Sequence, residues 1–241
     1  MIAARWGLLL VAALSIIAAW GATSAQASPS ALRVEVSAVI GVLAPLFWPG
    51  LAPTTSGTVL RVVAWSAAAS ASVAAFLLVH PGQPWNRVAT ACAMLMAILV
   101  LVHAAAVVLE GRWSSPSADI DTARELAGRA MASALAALGT LPFWLGPAAE
   151  SLTARHPGII DTVVGLSPVT HLAVASGADL LHNPWLYEHS NLAVLPVSYP
   201  GLGTLAAGYA TACAVLAIVA FASRRPRRPT TSANDAIRSR G

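Results

Sequence analysis

The chain contains no lysine: all fourteen of its basic side chains are arginine. A P-loop holds nucleotide phosphates with a lysine, and retinal and pyridoxal phosphate are bound as Schiff bases on one. Neither chemistry is open to this sequence. Charge of either sign is scarce. Charged residues make up 10% of the 241 positions and apolar residues 57%, which excludes an ordinary soluble domain and points to a polytopic membrane protein. Cysteine is almost absent. Cys92 and Cys213 each sit inside an apolar run and read as small buried apolar side chains, not as a disulfide or a metal pair. No serine or cysteine nucleophile stands in a recognisable catalytic motif, so the chain is not expected to be an enzyme. The net charge of +4 comes largely from the C-terminal tail. It suits an anionic membrane surface, and no folded basic domain is present to hold nucleic acid.

What remains is a succession of apolar runs. Residues 7–22 follow Arg5 and precede Ala25-Gln26-Ala27, a small-residue cleavage pattern. They read either as a signal peptide or as a first transmembrane helix, and in both cases residue 28 emerges on the outer side. Further spans are expected over about 36–51, 58–78, 88–109, 130–145 and 202–222. The polar stretch 110–129 holds a short helix over 119–129, capped by Asp119 or Asp121. Residues 224–241 form a basic, disordered tail. The chain thus divides into 1–27, a transmembrane helical domain over 28–223, and the tail.

One stretch departs from this pattern. Residues 158–200 are apolar but repeatedly interrupted by proline, glycine, histidine and acid. Ser167-Pro168 divides the stretch, because serine is a good N-cap and proline is tolerated at the first helical position but not inside a helix. The helix predicted from Pro168 to Leu181 or His182 is about 22 Å long, short of the ~30 Å hydrocarbon core. Two short helices around such a corner form an element that enters the membrane partway and returns, enclosed by protein or by a water-filled cavity. Arginine supports that count. With both termini cytoplasmic and this stretch not crossing, eleven arginines lie inside and only Arg33, Arg87 and Arg155 outside. A full crossing would move the six tail arginines outside. The expected fold class is therefore an all-α membrane bundle of about six transmembrane helices plus one re-entrant outer-leaflet helical element.

The candidate functional residues are Ser167, Pro168, His171, Asp179, His182 and His103. His103 lies inside a span, where an ionisable group marks a functional position by default. Haem ligation needs a second histidine at equal depth. His80 lies at the outer end of its span and His103 toward the inner side, so a neutral His103 bonded to a serine or a carbonyl is expected. His171 and His182, on one predicted helix, are about 16 Å apart along its axis and do not share an ion; His171 with His156 or His189 remains open. Asp161 and Asp179 are expected to face protein or water. No cofactor is expected.

Ser167-Pro168-Val169-Thr170-His171-Leu172 resembles the Asn-Pro-hydrophobic-Thr/Ser-like motif of permease subunits of ABC-2 type ABC transporters, with serine in place of asparagine. The likeness covers mainly residues 130–223. It implies six spans, cytoplasmic termini in a bacterial plasma (inner) membrane, a re-entrant outer element between the fifth and sixth spans, and export driven by a separate ATPase subunit. The partners it implies are membrane lipid, that ATPase, and a second copy or another permease chain in a homo- or hetero-oligomer. Residues 52–57 are shorter than the ATPase-docking loop of that family. Two other readings stand beside it: a non-transporting integral subunit of a membrane complex, and a haem- or metal-binding membrane protein.

Overall fold

A computed structural model of the chain describes residues 28–48, 57–114, 120–145, 148–156, 158–180 and 198–223. These form eight helices and no strand among the described residues: α1 Pro29–Leu46, α2 Thr58–Val79, α3 Trp85–Trp113, α4 Ile120–Leu145, α5 Ala149–Arg155, α6 Ile159–Leu166, α7 Pro168–Ser176 and α8 Leu202–Ser223. The expected first helix at 7–22, residues 181–197 with His182 and His189, and the basic tail lie outside the described residues.

Helix ends follow local rules. Ser28 caps α1, its hydroxyl accepting from the Ala31 amide at 3.3 Å, with Pro29 at the first helical position. This is the Ser-Pro signal that was read at 167–168, and it moves the start of the second expected span from 36 back to 29. The predicted short helix at 119–129 and span at 130–145 are one helix, α4. The helix after Pro168 stops at Ser176, not at 181 or 182. Gly177 adopts φ 70°, its amide reaches Val174 O, and the Ala178 amide reaches Ala173 O at 2.9 Å. That is a Schellman stop, which glycine takes without strain.

Helix α3 is the axis of the bundle, packing against α1, α2, α4, α7 and α8. Its buried residues Val88, Ala91, Leu95, Leu99, His103 and Ala106 recur at helical spacing. Leu32 and Val36 of α1, Val73 and Leu77 of α2, Leu135 of α4, Leu172 of α7 and Leu205 of α8 share one core with it. The broken stretch is therefore interior: Thr170, His171, Leu172, Ala173, Ala175 and Ser176 of α7 are buried. The longer α2 and α8 turn large apolar side chains outward, as Val79 at 83% and Phe221 at 82% exposed illustrate. Exposure of that kind suits a hydrocarbon surrounding.

Four helices (α1, α2, α3 and α8) are long and apolar enough to cross a membrane, and the α6–α7 pair, bent by 76°, raises this to five at most. The six-span expectation included 7–22, outside the described residues, and 130–145. The latter part of α4 begins only after Arg129, and Ser133, Gly139, Thr140 and Pro142 dilute its hydropathy.

Within hydrocarbon, helices gain little from apolar burial against each other, so close packing at small residues matters more. Helices α1 and α4 meet at Gly128, where a methyl group would collide with the Pro45 carbonyl oxygen. Gly111, on α3, faces open space. Gly128→Ala is therefore expected to lower stability by about 1–3 kcal/mol, whereas Gly111→Ala raises it by up to about 1 kcal/mol. Thermal unfolding of both variants in one detergent checks this; equal effects would mean that α1 and α4 do not cross at Gly128.

Candidate functional site

Two polar centres lie at opposite ends of the bundle. The first gathers where α1 ends, α2 begins, α3 ends and α4 begins. Glu110 is clamped by Arg61 at 3.4 Å and Arg124 at 2.8 Å. The hydrogen bond from Arg124, with the Glu110 charge behind it, raises the guanidinium above its ordinary pKa against the opposing effect of burial. Arg61 also lies over the Trp48 ring, 4.9 Å from its centroid, and His103 stacks on the same indole at 4.7 Å and 14°. His103 Nδ1 is 2.9 Å from Ser66 Oγ, and the Ser70 hydroxyl donates to the Ser66 carbonyl at 2.9 Å. An unbroken series thus runs from the ionic cluster to a histidine with no exposed surface. His103 Nε2 and Trp48 Nε1 are buried and have no hydrogen-bond partner among the described residues.

His103 accordingly has the serine partner expected of it. His80, which caps α2 and bonds the Phe76 carbonyl at 2.7 Å, is fourteen residues along that helix from Ser66. That is about 21 Å, so His80 and His103 do not bracket one iron.

The second centre is built around the break between α6 and α7. His171 joins three helices: Nε2 donates to the Gly165 carbonyl of α6 at 2.9 Å, and Nδ1 accepts from the Tyr209 hydroxyl of α8 at 2.7 Å. A carbonyl only accepts, which sets this tautomer of the neutral ring. Both nitrogens are occupied, leaving none for an ion shared with His156. His182 and His189 lie outside the described residues. No group of three or more metal-binding side chains occurs among the described residues.

Ser167 does not cap α7 with its side chain, as expected from sequence. Its hydroxyl donates instead to the Gly139 carbonyl of α4 at 3.2 Å, while Pro168 does occupy the first helical position. The far end of α7 is closed by Arg33, which donates to the Ser176 carbonyl at 2.7 Å and to Gln83 Oε1 at 2.8 Å. Arg33 was not among the candidates, although a 4% exposed arginine within an apolar helix is the signal that marks it. Asp161, at the start of α6, accepts from the Ser198 amide at 3.3 Å; Asp179, just past α7, accepts from the Tyr199 hydroxyl at 2.9 Å. The two ends of the bent pair are thus tied to adjacent residues before α8.

No family model, curated protein or solved structure matches this chain.

The His103–Ser66 bond is testable by a double-mutant cycle. Ser66→Ala leaves Nδ1 unpaired in a buried site, and His103→Leu leaves the hydroxyl unpaired. The pair of changes is expected to cost less than the sum of the single ones, with a coupling of about 0.5–2 kcal/mol. Zero coupling in thermal unfolding would mean that the two side chains do not bond.

Proposed function

We propose that the chain is an integral membrane, permease-like subunit in which α6 and α7 form a re-entrant element beside the translocation route, with a separate ATPase subunit supplying energy as in ABC-2 type transporters. One observation carries this reading: the ends of the bent pair, Asp161 and Asp179, are both held by residues 198–199. The pair therefore leaves the membrane on the side where it entered. Its corner reaches well inward. Ser176 lies beside Arg33, near the start of α1, whereas Pro168 and Val169 share a cavity with Val39 and Val42. Val42 is thirteen residues into α1, about 20 Å along it, deep inside a ~30 Å core. Irregular backbone at that depth survives only when enclosed, and α1, α3, α4 and α8 enclose it here. Short half-helices meeting within a bundle are how transporters expose backbone groups to a solute.

The Glu110 end is read as cytoplasmic. Arg61, Arg112, Arg124 and Arg129 cluster there, and α8 leads the six tail arginines toward it. The exposed, uncharged surface of α8 suits contact with lipid or another subunit in an oligomer. The plasma membrane of a bacterium is the compartment consistent with this reading.

Single cysteines replacing Asp161 and Asp179, in a chain lacking Cys92 and Cys213, are expected to react with an impermeant maleimide from one face of the membrane, and Ser114→Cys from the other. Labelling of positions 161 and 179 from opposite faces would make the pair a true span. The assembly purified from native membranes is expected to hydrolyse ATP, at a rate reduced by Pro168→Leu, which lets helix run on from α6 into α7. An assembly without ATP hydrolysis would leave the chain a non-transporting membrane subunit.

A further inference from the structure

The cationic groups at the two ends of the bundle are treated differently. Arg61, Arg124 and Arg129 each reach a carboxylate. Among the described residues, Arg33 and Arg87 reach none. Arg33 spends its terminal nitrogens on a neutral amide and a carbonyl, and its Nε is buried without a partner. Arg87 lies against the same helix end: a methyl group on Gly177 would stand 3.0 Å from Arg87 Cζ. The C-terminal carbonyls of α7 offset only part of one positive charge. Two like charges share the place, one buried and one exposed, and the acid that follows α7, Asp179, accepts from the Tyr199 hydroxyl.

Polarity then falls steadily with depth. On α1, Arg33, Ser37 and Gly41 repeat every fourth residue along one face; on α7, Ser176, Leu172 and Val169 follow at spacings of four and three in the opposite direction. The Ser37 and Ser176 hydroxyls are buried and have no hydrogen-bond partner among the described residues. Below them opens a cavity of about 350 Å³ lined by Gly41, Val42, Leu95, Ile98, Ala136 and Leu172. Its one polar lining side chain, Thr140, donates to the Ala136 carbonyl of its own helix at 2.7 Å. The stripe from Arg33 to the floor near Leu43 covers ten residues, about 15 Å, which is half of a ~30 Å hydrocarbon core.

We propose that this stripe is a binding site for one anionic phospholipid from the leaflet on the Arg33 side. Its phosphate lies between Arg33 and Arg87, its glycerol and ester oxygens pass Ser37 and Ser176, and one acyl chain fills the cavity. Charge complementarity selects the head group, since a zwitterionic lipid brings no net negative charge to the two guanidinium groups and a soluble anion leaves the cavity empty. The site does not depend on the transport reading: binding is measured here, whether or not anything is translocated.

The test uses the full chain in a neutral detergent, with native mass spectrometry counting lipids bound as phosphatidylglycerol, phosphatidylcholine or glycerol 3-phosphate is titrated in. One phosphatidylglycerol per chain is expected to bind in preference to phosphatidylcholine. Arg87→Gln, an exposed change that leaves the fold intact, is expected to weaken it about tenfold, and Arg155→Gln at the same end to leave it unchanged. Ala136→Phe, which fills the cavity, is expected to weaken it as well. Equal binding of the two lipids with no effect of Arg87→Gln would overturn the proposal. So would glycerol 3-phosphate binding as tightly as the lipid, which would make this an anion site alone.

Discussion

A helix that breaks in an apolar interior frees carbonyl and amide groups that apolar side chains cannot satisfy. That constraint governs the centre of this protein. At the corner, proline brings no amide, and the Ser167 amide falls back on the Val164 carbonyl at 3.3 Å. The carbonyls exposed by the two short helices are taken up by side chains: Gly165 O by His171, and Ser176 O by Arg33. The Ser167 hydroxyl reaches across to α4. Each of these side chains is polar, and each is buried. The polar residues that interrupt residues 158–180 are thus what makes the interruption affordable.

The same demand explains why the half-helix after the break is the most enclosed. α7, nine residues long, is surrounded by α1, α3, α4 and α8, whereas α8, twenty-two residues long and internally satisfied, presents most of its surface outward. A complete helix is at home in lipid, and a fragment of one is not. His171 is the joint between the two kinds of element, bonding a carbonyl of α6 and the Tyr209 hydroxyl of α8.

The two ends of the bundle carry different electrostatics. At one end Glu110 holds α2, α3 and α4 together through Arg61 and Arg124, and the charges largely cancel. The aromatic stack of Trp48 and His103 continues from that cluster into the core. At the other end Arg33 and Arg87 are brought together at one helix terminus, and neither reaches a carboxylate among the described residues. The first arrangement fastens helices; the second sets two like charges side by side.

Much of this was legible in the sequence. The spans over α2, α3 and α8, the corner at Ser167-Pro168 and a neutral His103 bonded to serine follow from hydropathy, from proline's missing amide and from the cost of an unpaired ionisable group in a span. The start of α1 at Ser28-Pro29 and the end of α7 at Gly177 were written there too, in capping residues whose effect is local. Other features were not. Arg33 meets Ser176 across 143 positions, Ser167 meets Gly139 across 28, and Trp48 stacks on His103. Such pairs depend on how each helix is rotated about its axis. Contacts such as that of Gly128 with Pro45 set the rotation, through atoms that hydropathy does not register. Helix ends are set largely by local residues, and the sequence by itself determined those at Ser28-Pro29, Pro168 and Gly177. Which face of each helix meets which neighbour is decided by close packing in three dimensions, and only the tertiary structure could settle it.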